Sequence, residues 1–411
     1  MAQPPSSPRR SALLTLSPTN IWAVGFTTDT VPNPPVLQTL IEHFDGTGWV
    51  QVVSPNIMLN GTQPTDNVLE GISGVSATDI WAVGAFITAG NAWQPLLEHY
   101  NGTTWTANTF PSLGSGDNIL FGVTAMSATN VMAVGYQRFN NSTAPAQTLA
   151  INYDGSQWTA GTTPNVGTGS NAFLAVAAGA ANDLWAVGRS TSASGYRQTL
   201  IEHFTGSSWA VVASPNGTSS NNYLYGVSVL GATSAWTVGF YFDPSVGRTR
   251  SLIERWNGTS WTLVPSPSVG LPANPFDELF SVKAISANDV WAVGDANSGV
   301  LDPSGVPTTG ITIAEHWNGS TWTAITSGNS STGFNELNAV AAASPTNVWA
   351  VGDYFNSSHV DRDRHRGRCG LRYRRELRRR ACYQHPHRLG ASADGDDSCR
   401  AGQRGRRAGN Q

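Results

Sequence analysis

The chain alternates short apolar segments with polar turns over most of its length. Within residues 69–108 four such segments follow one another, LEGISGVS, DIWAVGAF, PLLEHY and TTWTAN, and each contains β-branched or aromatic residues. Residues of these types favour β-strands. An Asn-Gly pair separates the third segment from the fourth, and Asn-Gly is a strong hairpin signal because both residues tolerate positive φ. This pattern predicts four antiparallel strands, named A to D below.

The four-strand pattern is repeated along the chain. Seven copies of an IWAVG-like phrase in strand B recur at steps of 51 to 59 residues, and they start at residues 21, 80, 131, 184, 235, 290 and 348. A second phrase, LIEHFDGTGW in the first copy, covers strands C and D and follows six of the seven copies. A tandem array of four-stranded antiparallel units is typical of a propeller.

We therefore predict an all-β fold, a β-propeller of four-stranded antiparallel blades. The number of strand B phrases favours seven blades, the last of which is incomplete because the pattern ends after its strand B near Phe355. A six-bladed ring is the alternative, in which residues 336–355 pair onto a first blade whose strand A is weak.

The order of elements within a unit resembles a known repeat. An apolar strand, a second strand that ends in Gly, a strand with an aromatic residue, a tight turn and a Trp follow one another. This arrangement resembles the kelch repeat of the galactose-oxidase-like β-propellers over residues 11–354, although Val-Gly stands where that family has paired glycines. The resemblance implies the fold and says little about function, because propellers host unrelated activities. Copper-radical oxidases of that fold use a Cys cross-linked to Tyr, and residues 1–358 contain no Cys.

Charge divides the chain near residue 358. Residues 1–358 contain nine basic and 21 acidic residues (9 − 21 = −12), whereas residues 359–411 contain 15 Arg and six acidic residues (15 − 6 = +9). We predict a disordered N-terminus at 1–10, a β-propeller at 11–355 with repeat units of about 53 residues, and a disordered Arg-rich tail at 356–411. Two explanations of the tail stay open: an out-of-frame reading of the gene, which we favour, or a genuine basic arm that binds nucleic acid.

Composition bears on location. No segment approaches the roughly 20 apolar residues that span a membrane, and the N-terminal MAQPPSSPRRSALLTL lacks an apolar run of signal-peptide length. All three cysteines lie in the tail, and the rest of the chain is rich in Asn, Ser, Thr, Gly and Trp with a single Lys. This composition favours an extracellular or cell-surface bacterial protein.

Glu-His pairs recur in strand C, but they do not predict a catalytic dyad because adjacent residues of a strand face opposite sides. The third unit has Met132 in place of the strand B Trp and Ile151 in place of the strand C Glu. This joint replacement suggests the hypothesis that each strand C Glu accepts a hydrogen bond from a strand B indole.

The connections B to C and D to A are long and variable, and both emerge on one face, which we predict to be functional. Trp93, in the loop before strand C of the second unit, is the best candidate for an exposed aromatic contact. Polar residues also stand two positions before the apolar residue of strand A, at Asn67, Asn118, Asn222, Asp277 and Asn335. They are typical of Asx turns, and as a ring near the channel mouth they are also candidate ligand contacts.

Several chemistries receive no support from the sequence. It contains no H-E-x-x-H, G-x-S-x-G, P-loop or Cys-x-x-Cys motif, and we expect no cofactor, catalytic residue or metal. Asp295, Asn297 and Asp302 offer oxygen ligands for calcium but lack the EF-hand spacing. We predict a noncatalytic binding or scaffold propeller for a protein or carbohydrate ligand. The alternative is a glycan-active hydrolase or lyase with acidic residues on the long-loop face.

Overall fold

A computed structural model of the chain describes residues 9–29, 35–110, 113–139, 144–267, 276–298, 309–330, 332–355 and 387–389. The regular elements in these ranges are β-strands. The described residues include no helix long and apolar enough to cross a membrane. The predictions of disorder at 1–10 and 356–411 fall outside the described residues, except for Arg9, Arg10 and residues 387–389.

Six sheets have four antiparallel strands each. Blade 1 consists of β1 (Arg9–Ser17), β2 (Asn20–Asp29), β3 (Val36–Phe44) and β4 (Trp49–Val52), and it is followed by a small hairpin of β5 (Met58–Leu59) and β6 (Gln63–Pro64). Blade 2 consists of β7 (Asn67–Ser76), β8 (Asp79–Ile87), β9 (Trp93–Tyr100) and β10 (Trp105–Thr109). Blade 3 consists of β11 (Ile119–Ser127), β12 (Asn130–Gln137), β13 (Gln147–Tyr153) and β14 (Trp158–Gly161).

The other three blades repeat this order. Blade 4 consists of β15 (Asn171–Ala180), β16 (Asp183–Thr191), β17 (Arg197–Phe204) and β18 (Trp209–Val212). Blade 5 consists of β19 (Asn222–Gly231), β20 (Ser234–Asp243), β21 (Arg248–Trp256) and β22 (Trp261–Leu263). Blade 6 consists of β23 (Phe276–Ser286), β24 (Asp289–Asn297), β25 (Gly310–Trp317) and β26 (Trp322–Ile325).

The propeller thus has six blades of four strands, and the prediction of seven is corrected. The strand B phrase that begins at residue 348 forms only part of a further sheet, which consists of β27 (Phe334–Ser344), β28 (Asn347–Phe355) and β29 (His387–Leu389). β27 packs between β23 and β1 and closes the ring. Residues 336–355 therefore form their own sheet and do not pair onto blade 1, as the six-bladed alternative required.

Strand A lies innermost in each blade, because the A strands of neighbouring blades pack against one another and strand D forms the outer edge. Each strand A also has a β-bulge opposite the Gly of the strand B phrase. In blade 2 the pairing shifts between Leu69 and Gly71 beside Gly84. A Cβ on Gly84 would lie 2.0 Å from the carbonyl oxygen of Val68, so the backbone approach requires glycine there.

The tryptophans of strand B pack between blades. The Trp22 ring lies 5.0 Å from Tyr100 and 5.7 Å from Trp105 of the next blade, measured between ring centroids. Trp349 makes the equivalent contact with blade 1, where its ring lies 5.1 Å from Phe44. Burial of such large aromatic side chains contributes strongly to folding. The contact of Trp349 with blade 1 therefore stabilises the closure of the propeller.

Three strand C glutamates receive hydrogen bonds from the preceding blade. The donor is a serine just after strand D: Ser54 Oγ lies 3.2 and 3.0 Å from the carboxylate oxygens of Glu98. Ser214 donates to Glu254 at 2.9 and 3.0 Å, and Ser266 donates to Glu315 at 2.8 and 3.0 Å. We call these contacts the serine–glutamate bridges. They satisfy buried carboxyl groups and join consecutive blades.

The hypothesis that a strand B indole donates to a strand C Glu is therefore wrong. The indole N–H of Trp22 donates to Asn20 at 2.8 Å, and that of Trp291 donates to Asp289 at 3.1 Å. Trp349 donates to Asn347 in the same way. In these three units the acceptor is the residue two positions earlier, at the start of strand B. The indole N–H groups of Trp81, Trp185 and Trp236 have no hydrogen-bond partner among the described residues.

Three positions depart from the serine–glutamate bridge. Ile151 of blade 3 packs in one apolar cluster with Phe110, which stands where the other blades have the serine. Before blade 4 the serine is replaced by Thr163, which follows strand D of blade 3 and whose hydroxyl donates to the carbonyl of Thr148 at 3.1 Å. Glu202 of blade 4 is buried, and neither of its carboxylate oxygens has a hydrogen-bond partner among the described residues. In blade 1 Glu42 is held instead by Arg10, at 2.5 and 2.9 Å.

Candidate functional site

The two ends of the propeller differ in loop length. At one end the A–B turns have two residues and the C–D turns have four, whereas the B–C and D–A connections at the other end have four to fourteen. We call this second end the long-loop face. Short turns leave little room for specificity, and variable loops on a rigid scaffold commonly carry recognition.

Four of the predicted asparagines are buried at the base of the D–A loops. They are Asn67, Asn118, Asn222 and Asn335, and each has a relative exposure of 0 to 2%. Asn222 Oδ1 accepts from the amides of Gly217 and Thr218, at 2.8 and 3.3 Å. Its Nδ2 donates to the carbonyls of Thr218 and Ser220, at 2.9 and 2.7 Å. These side chains hold the loops in one conformation. As direct ligand contacts they stay a prediction.

Asp277 occupies the same position in blade 6 and is 4% exposed. Asn171 occupies it in blade 4, where it accepts from the amide of Val166 at 3.0 Å and donates to the carbonyl of Gly169 at 3.0 Å. Asn171 was not among the predicted residues, because Phe173 stands in blade 4 where the other units have a strand A Leu. The sequence signal that identifies Asn171 is an Asn two positions before any large apolar residue of strand A, and not only before Leu.

A polar residue directly before the asparagine also anchors several of these loops. Asp66 Oδ1 accepts from the backbone amide of Leu37 at 2.7 Å, and Asn221 Oδ1 accepts from that of Arg197 at 2.9 Å. Burial raises the pKa of Asp66, against the opposing effect of its hydrogen bond to Leu37. The D–A loops that end at Asp66 and Asn221 are thus fixed to strand C of the blade they leave. The sequence carries the signal as consecutive polar residues, Asp-Asn or Asn-Asn.

Trp93 starts β9 and is half-buried. Its amide donates to Asp117 Oδ1 at 3.1 Å, and its carbonyl accepts from the amide of Asn118 at 2.8 Å. The structure therefore brings Trp93 and Asn118 together at one point of the long-loop face. Asn67 starts strand A of the same blade as Trp93, and the other predicted residues belong to other sheets.

A groove of about 530 Å³ opens on the long-loop face at blade 4. It lies between the D–A loop that enters the blade, the B–C loop and the ends of β17 and β18. Its lining consists of residues 166–168, 190–193, 198–201, 211–214 and Asn216. None of these is Asp, Glu, His, Lys, Arg or Cys. Val166 and Val211 are 40% and 46% exposed, and Tyr196 of the B–C loop is 47% exposed. The groove therefore offers hydroxyl, amide and apolar groups without a general acid or base.

The recurring histidines lie at the opposite end. His99 Nε2 lies 2.8 Å from Asp79 Oδ1, and the His99 ring stacks on Trp81 with 4.1 Å between centroids. His203 has the same arrangement with Asp183, at 2.6 Å, and Trp185. These histidines brace the A–B turns, and their Glu neighbours in sequence point between blades. The geometry offers no Glu-His dyad.

Burial strongly raises the pKa of four carboxyl groups of strand C. Burial raises the pKa of Glu98, Glu254 and Glu315 to about 8, although the serine hydrogen bond partly opposes the shift. Burial raises the pKa of Glu202 to about 8 with no such opposition. A raised carboxyl pKa is a common mark of a catalytic acid. Here the groups are 0% exposed between blades, where no substrate reaches them.

A second set of carboxyl groups lies near the axis on the long-loop face. Glu278 pairs with Asp295 across β23 and β24, and Glu336 pairs with Asp353 across β27 and β28. Asp295 Oδ2 accepts from the side-chain Nδ2 of Asn297 at 2.9 Å. No group of three or more His, Cys, Asp or Glu in the described part is arranged to hold a metal ion. Asp302, the third residue of the calcium hypothesis, lies outside the described residues.

Comparison with known proteins supports the fold. No family model and no curated protein matches the chain. Among solved structures, the GH74 xyloglucanase from Xanthomonas campestris is similar, with 12% identity over 85% of this chain and 52% of that chain and a TM-score of 0.51. This likeness shows a β-propeller fold and nothing finer.

Two further structures are more distantly similar. YCF48 bound to D1 peptide has 13% identity over 86% of this chain and 92% of that chain, with a TM-score of 0.47. A PL25 ulvan lyase bound to a GlcA(1-4)Rha3S unit has 11% identity over 74% of this chain and 79% of that chain, with a TM-score of 0.46.

Proposed function

We propose that the chain is a noncatalytic binding propeller that recognises an uncharged ligand, a glycan or a protein segment, through its long-loop face. The observation that carries the proposal is the lining of the blade 4 groove, which has hydroxyl, amide and apolar groups and no ionisable side chain. Pockets of a few hundred Å³ with a few fixed polar groups are typical ligand sites. The buried loop asparagines support the proposal because they hold the loops ready for binding.

The kelch-like character, export and surface location belong to the same proposal. The order of strands and turns in each unit supports the first, and the Cys-free, Lys-poor composition of residues 1–358 supports the others. Trp93 is proposed as a second contact, beside Asn118. Nucleic acid is a partner only if the Arg-rich tail is genuine, and that tail lies outside the described residues apart from 387–389.

Binding at the groove is testable with a matched pair of variants. Val211 lines the groove and is 46% exposed, whereas Leu263 occupies the same place in blade 5, is 47% exposed and does not line it. Arrays of neutral and acidic oligosaccharides and of extended peptides would identify a ligand. We expect Val211→Arg to weaken its binding at least tenfold and Leu263→Arg to leave it unchanged. Equal effects of the two substitutions would overturn the assignment of the groove.

The alternative, a glycan-active hydrolase or lyase, is favoured by one specific observation. The two carboxyl pairs near the axis, Glu278 with Asp295 and Glu336 with Asp353, lie in adjacent sheets on the long-loop face. Paired carboxyl groups are the usual means of glycoside cleavage. The alternative predicts shortened or unsaturated products from a polysaccharide panel and their loss in Asp295→Asn, with binding at the blade 4 groove unaffected.

A further inference from the structure

The blade 4 groove lies beside an open sheet edge. Its wall includes residues 211–214, and Val211 belongs to β18, the outermost strand of the blade. Residues 144–267 are described without a gap, and no further strand of the described chain pairs with the outer edge of β18. Ala210, Val211 and Ala213 are exposed. The groove therefore adjoins a strand edge that is open to solvent.

Val211 turns its main-chain groups toward this open side. In blade 5 the amide of Val264 donates to the carbonyl of Ile253 in strand C at 2.9 Å. Val212 is the equivalent of Val264 in blade 4 and lies opposite Ile201. Because hydrogen-bonded and outward-facing residues alternate along an antiparallel strand, the N–H and C=O of Val211 face away from β17. Such an edge is a template for an added strand.

Most polar side chains of the groove are already engaged within the protein. Five of the eight polar side chains in the lining form internal hydrogen bonds, namely Ser192, Gln198, Thr199, Ser214 and Asn216. Ser214, for example, donates to the buried Glu254 at 2.9 Å. A glycan would have to compete for these groups or leave its own hydroxyls unpaired, and an unpaired buried hydroxyl is costly. A peptide instead finds its partners on the main chain of β18.

Exposed apolar side chains stand around the same edge. Val166 belongs to the D–A loop, Tyr196 to the B–C loop and Val211 to β18, and all three are exposed. The lining contains no ionisable side chain that would select a charged ligand. Alternate side chains of an extended peptide lie on one face. An uncharged segment with apolar residues at alternate positions therefore matches the edge and the groove at the same time.

We propose that the blade 4 groove binds an extended, uncharged protein segment, which adds to blade 4 as a fifth strand. This inference rests on the proposed function and names its ligand as a peptide rather than a glycan. The main chain of the segment pairs with Val211 on the outer edge of β18, and its alternate apolar side chains contact Val166, Tyr196 and Val211. Main-chain pairing supplies affinity, and the apolar alternation sets the register.

The probe is the peptide TVTVTVT with both ends blocked and a dye attached, and its binding to the full chain is measured by fluorescence anisotropy. Two N-methylated forms are the matched pair, one methylated on its valines and the other on its inner threonines. Successive N–H groups of a strand point to opposite sides, so only one of the two sets faces β18. We expect saturable binding that is weakened about tenfold or more by one methylation pattern and less than about twofold by the other.

Variants of the protein and hydrogen exchange locate the bound peptide. Val211→Arg should weaken its binding by about tenfold, and Leu263→Arg, at the equivalent exposed position outside the groove, should leave it unchanged. Exchange of the Val211 amide in the wild-type protein should slow when the peptide is bound, and exchange of the Leu263 amide should not change. Equal losses with the two methylated peptides, or unchanged exchange at Val211, would overturn the proposal.

A parallel titration separates this inference from the proposed function. Cellohexaose, xylohexaose and mannohexaose are the glycan probes. If a glycan binds in a manner that Val211→Arg disrupts and the peptide does not bind, the groove stays a binding site and the assignment of a peptide strand is overturned. If neither kind of probe shows binding that depends on Val211, the groove itself is overturned as the site.

Discussion

Ser54 and Glu98 form a hydrogen-bonded pair across the boundary between blades 1 and 2, with Ser54 Oγ 3.2 and 3.0 Å from the two carboxylate oxygens. The two residues are 44 positions apart in sequence. The same contact joins blade 4 to blade 5 and blade 5 to blade 6. These bridges connect the scaffold that carries the long-loop face.

We expect Ser54→Ala to destabilise the protein. The substitution leaves the buried carboxyl group of Glu98 without its donor, which costs about 1–3 kcal/mol. Thermal unfolding measures the loss. Ser327→Ala is the control, because that serine donates to no described carboxylate, and it should cost less than Ser54→Ala. Equal losses would show that the bridge contributes nothing beyond the serine's contacts within its own blade.

We expect Thr163→Ser to stabilise the protein. Thr163 stands at the serine position before Glu202, and its hydroxyl is turned to Thr148 within blade 3. A serine there has a freer rotamer choice and can donate to Glu202, with a gain of about 0.5–1.5 kcal/mol. Unfolding of Thr163→Ser in the wild-type and Glu202→Gln backgrounds measures the coupling. No coupling between the two positions would contradict this account of Glu202.

The stability of the protein should decrease from weakly acidic to weakly alkaline pH. Burial raises the pKa of Glu98, Glu202, Glu254 and Glu315 to about 8, whereas an unfolded chain has Glu pKa values near ~4.3. Between these values the folded protein binds more protons than the unfolded chain, so the free energy of unfolding falls as pH rises. Their stabilising contribution is complete below about pH 4.3 and is lost as pH passes through about 8.

Melting temperatures between pH 5 and pH 8.5 test the titration of these groups. Glu254→Gln keeps an acceptor for Ser214 and removes one titrating group, so its melting temperature should fall less over this range than that of the wild type. A wild-type melting temperature that rises with pH over the whole range would contradict the assignment.

The Phe110 and Ile151 contact should behave as a coupled unit. Phe110→Ser alone opens a cavity, and Ile151→Glu alone places a carboxyl group in an apolar cluster, so each should cost about 3–5 kcal/mol. The double variant recreates the serine–glutamate bridge found in other blades and should cost less than the sum of the two. Equilibrium unfolding of the four proteins gives the coupling energy. If the free-energy losses of the two single variants simply add in the double variant, the Phe110–Ile151 contact is not equivalent to a serine–glutamate bridge.

Asn222 should control the order of its loop. Asn222→Ala removes four hydrogen bonds to the backbone of residues 217–220, and we expect a loss of about 1–3 kcal/mol with faster hydrogen exchange there. Asn182→Ala, at an exposed turn of the opposite end, should change neither quantity. Unchanged exchange in Asn222→Ala would show that the loop is fixed by other contacts.

Local patterns predicted much of the fold. The Asn101-Gly102 turn forms with Gly102 at a φ of 94°, and two backbone amides bond to Asn101 Oδ1 at 3.0 Å. Such signals lie within a few neighbouring residues, so periodicity reveals them. The number of complete blades was harder to predict. The strand B phrase at residue 348 does not show whether a strand C and a strand D complete its sheet in the folded protein.

Contacts between blades were the part that sequence did not predict. Ile151 was correctly seen as a replacement that needs a compensating change, but that change is Phe110 in the preceding blade and not Met132 in its own. Phe110 and Met132 both lie less than one repeat length before Ile151. Spacing alone therefore does not show which of the two residues compensates for Ile151. The blade 4 groove could not be predicted either, because four separate segments line it only after the blade folds.

The central claim is that the long-loop face binds its ligand without altering it. The most direct test is calorimetric titration of the protein with the neutral oligosaccharide or peptide that scores highest on the arrays, followed by mass analysis of the recovered ligand. The account predicts saturable heat that returns to baseline and a ligand of unchanged mass, with both signals weakened in Val211→Arg. Heat that continues after each injection, with a shortened or unsaturated ligand, would contradict it and identify the protein as an enzyme.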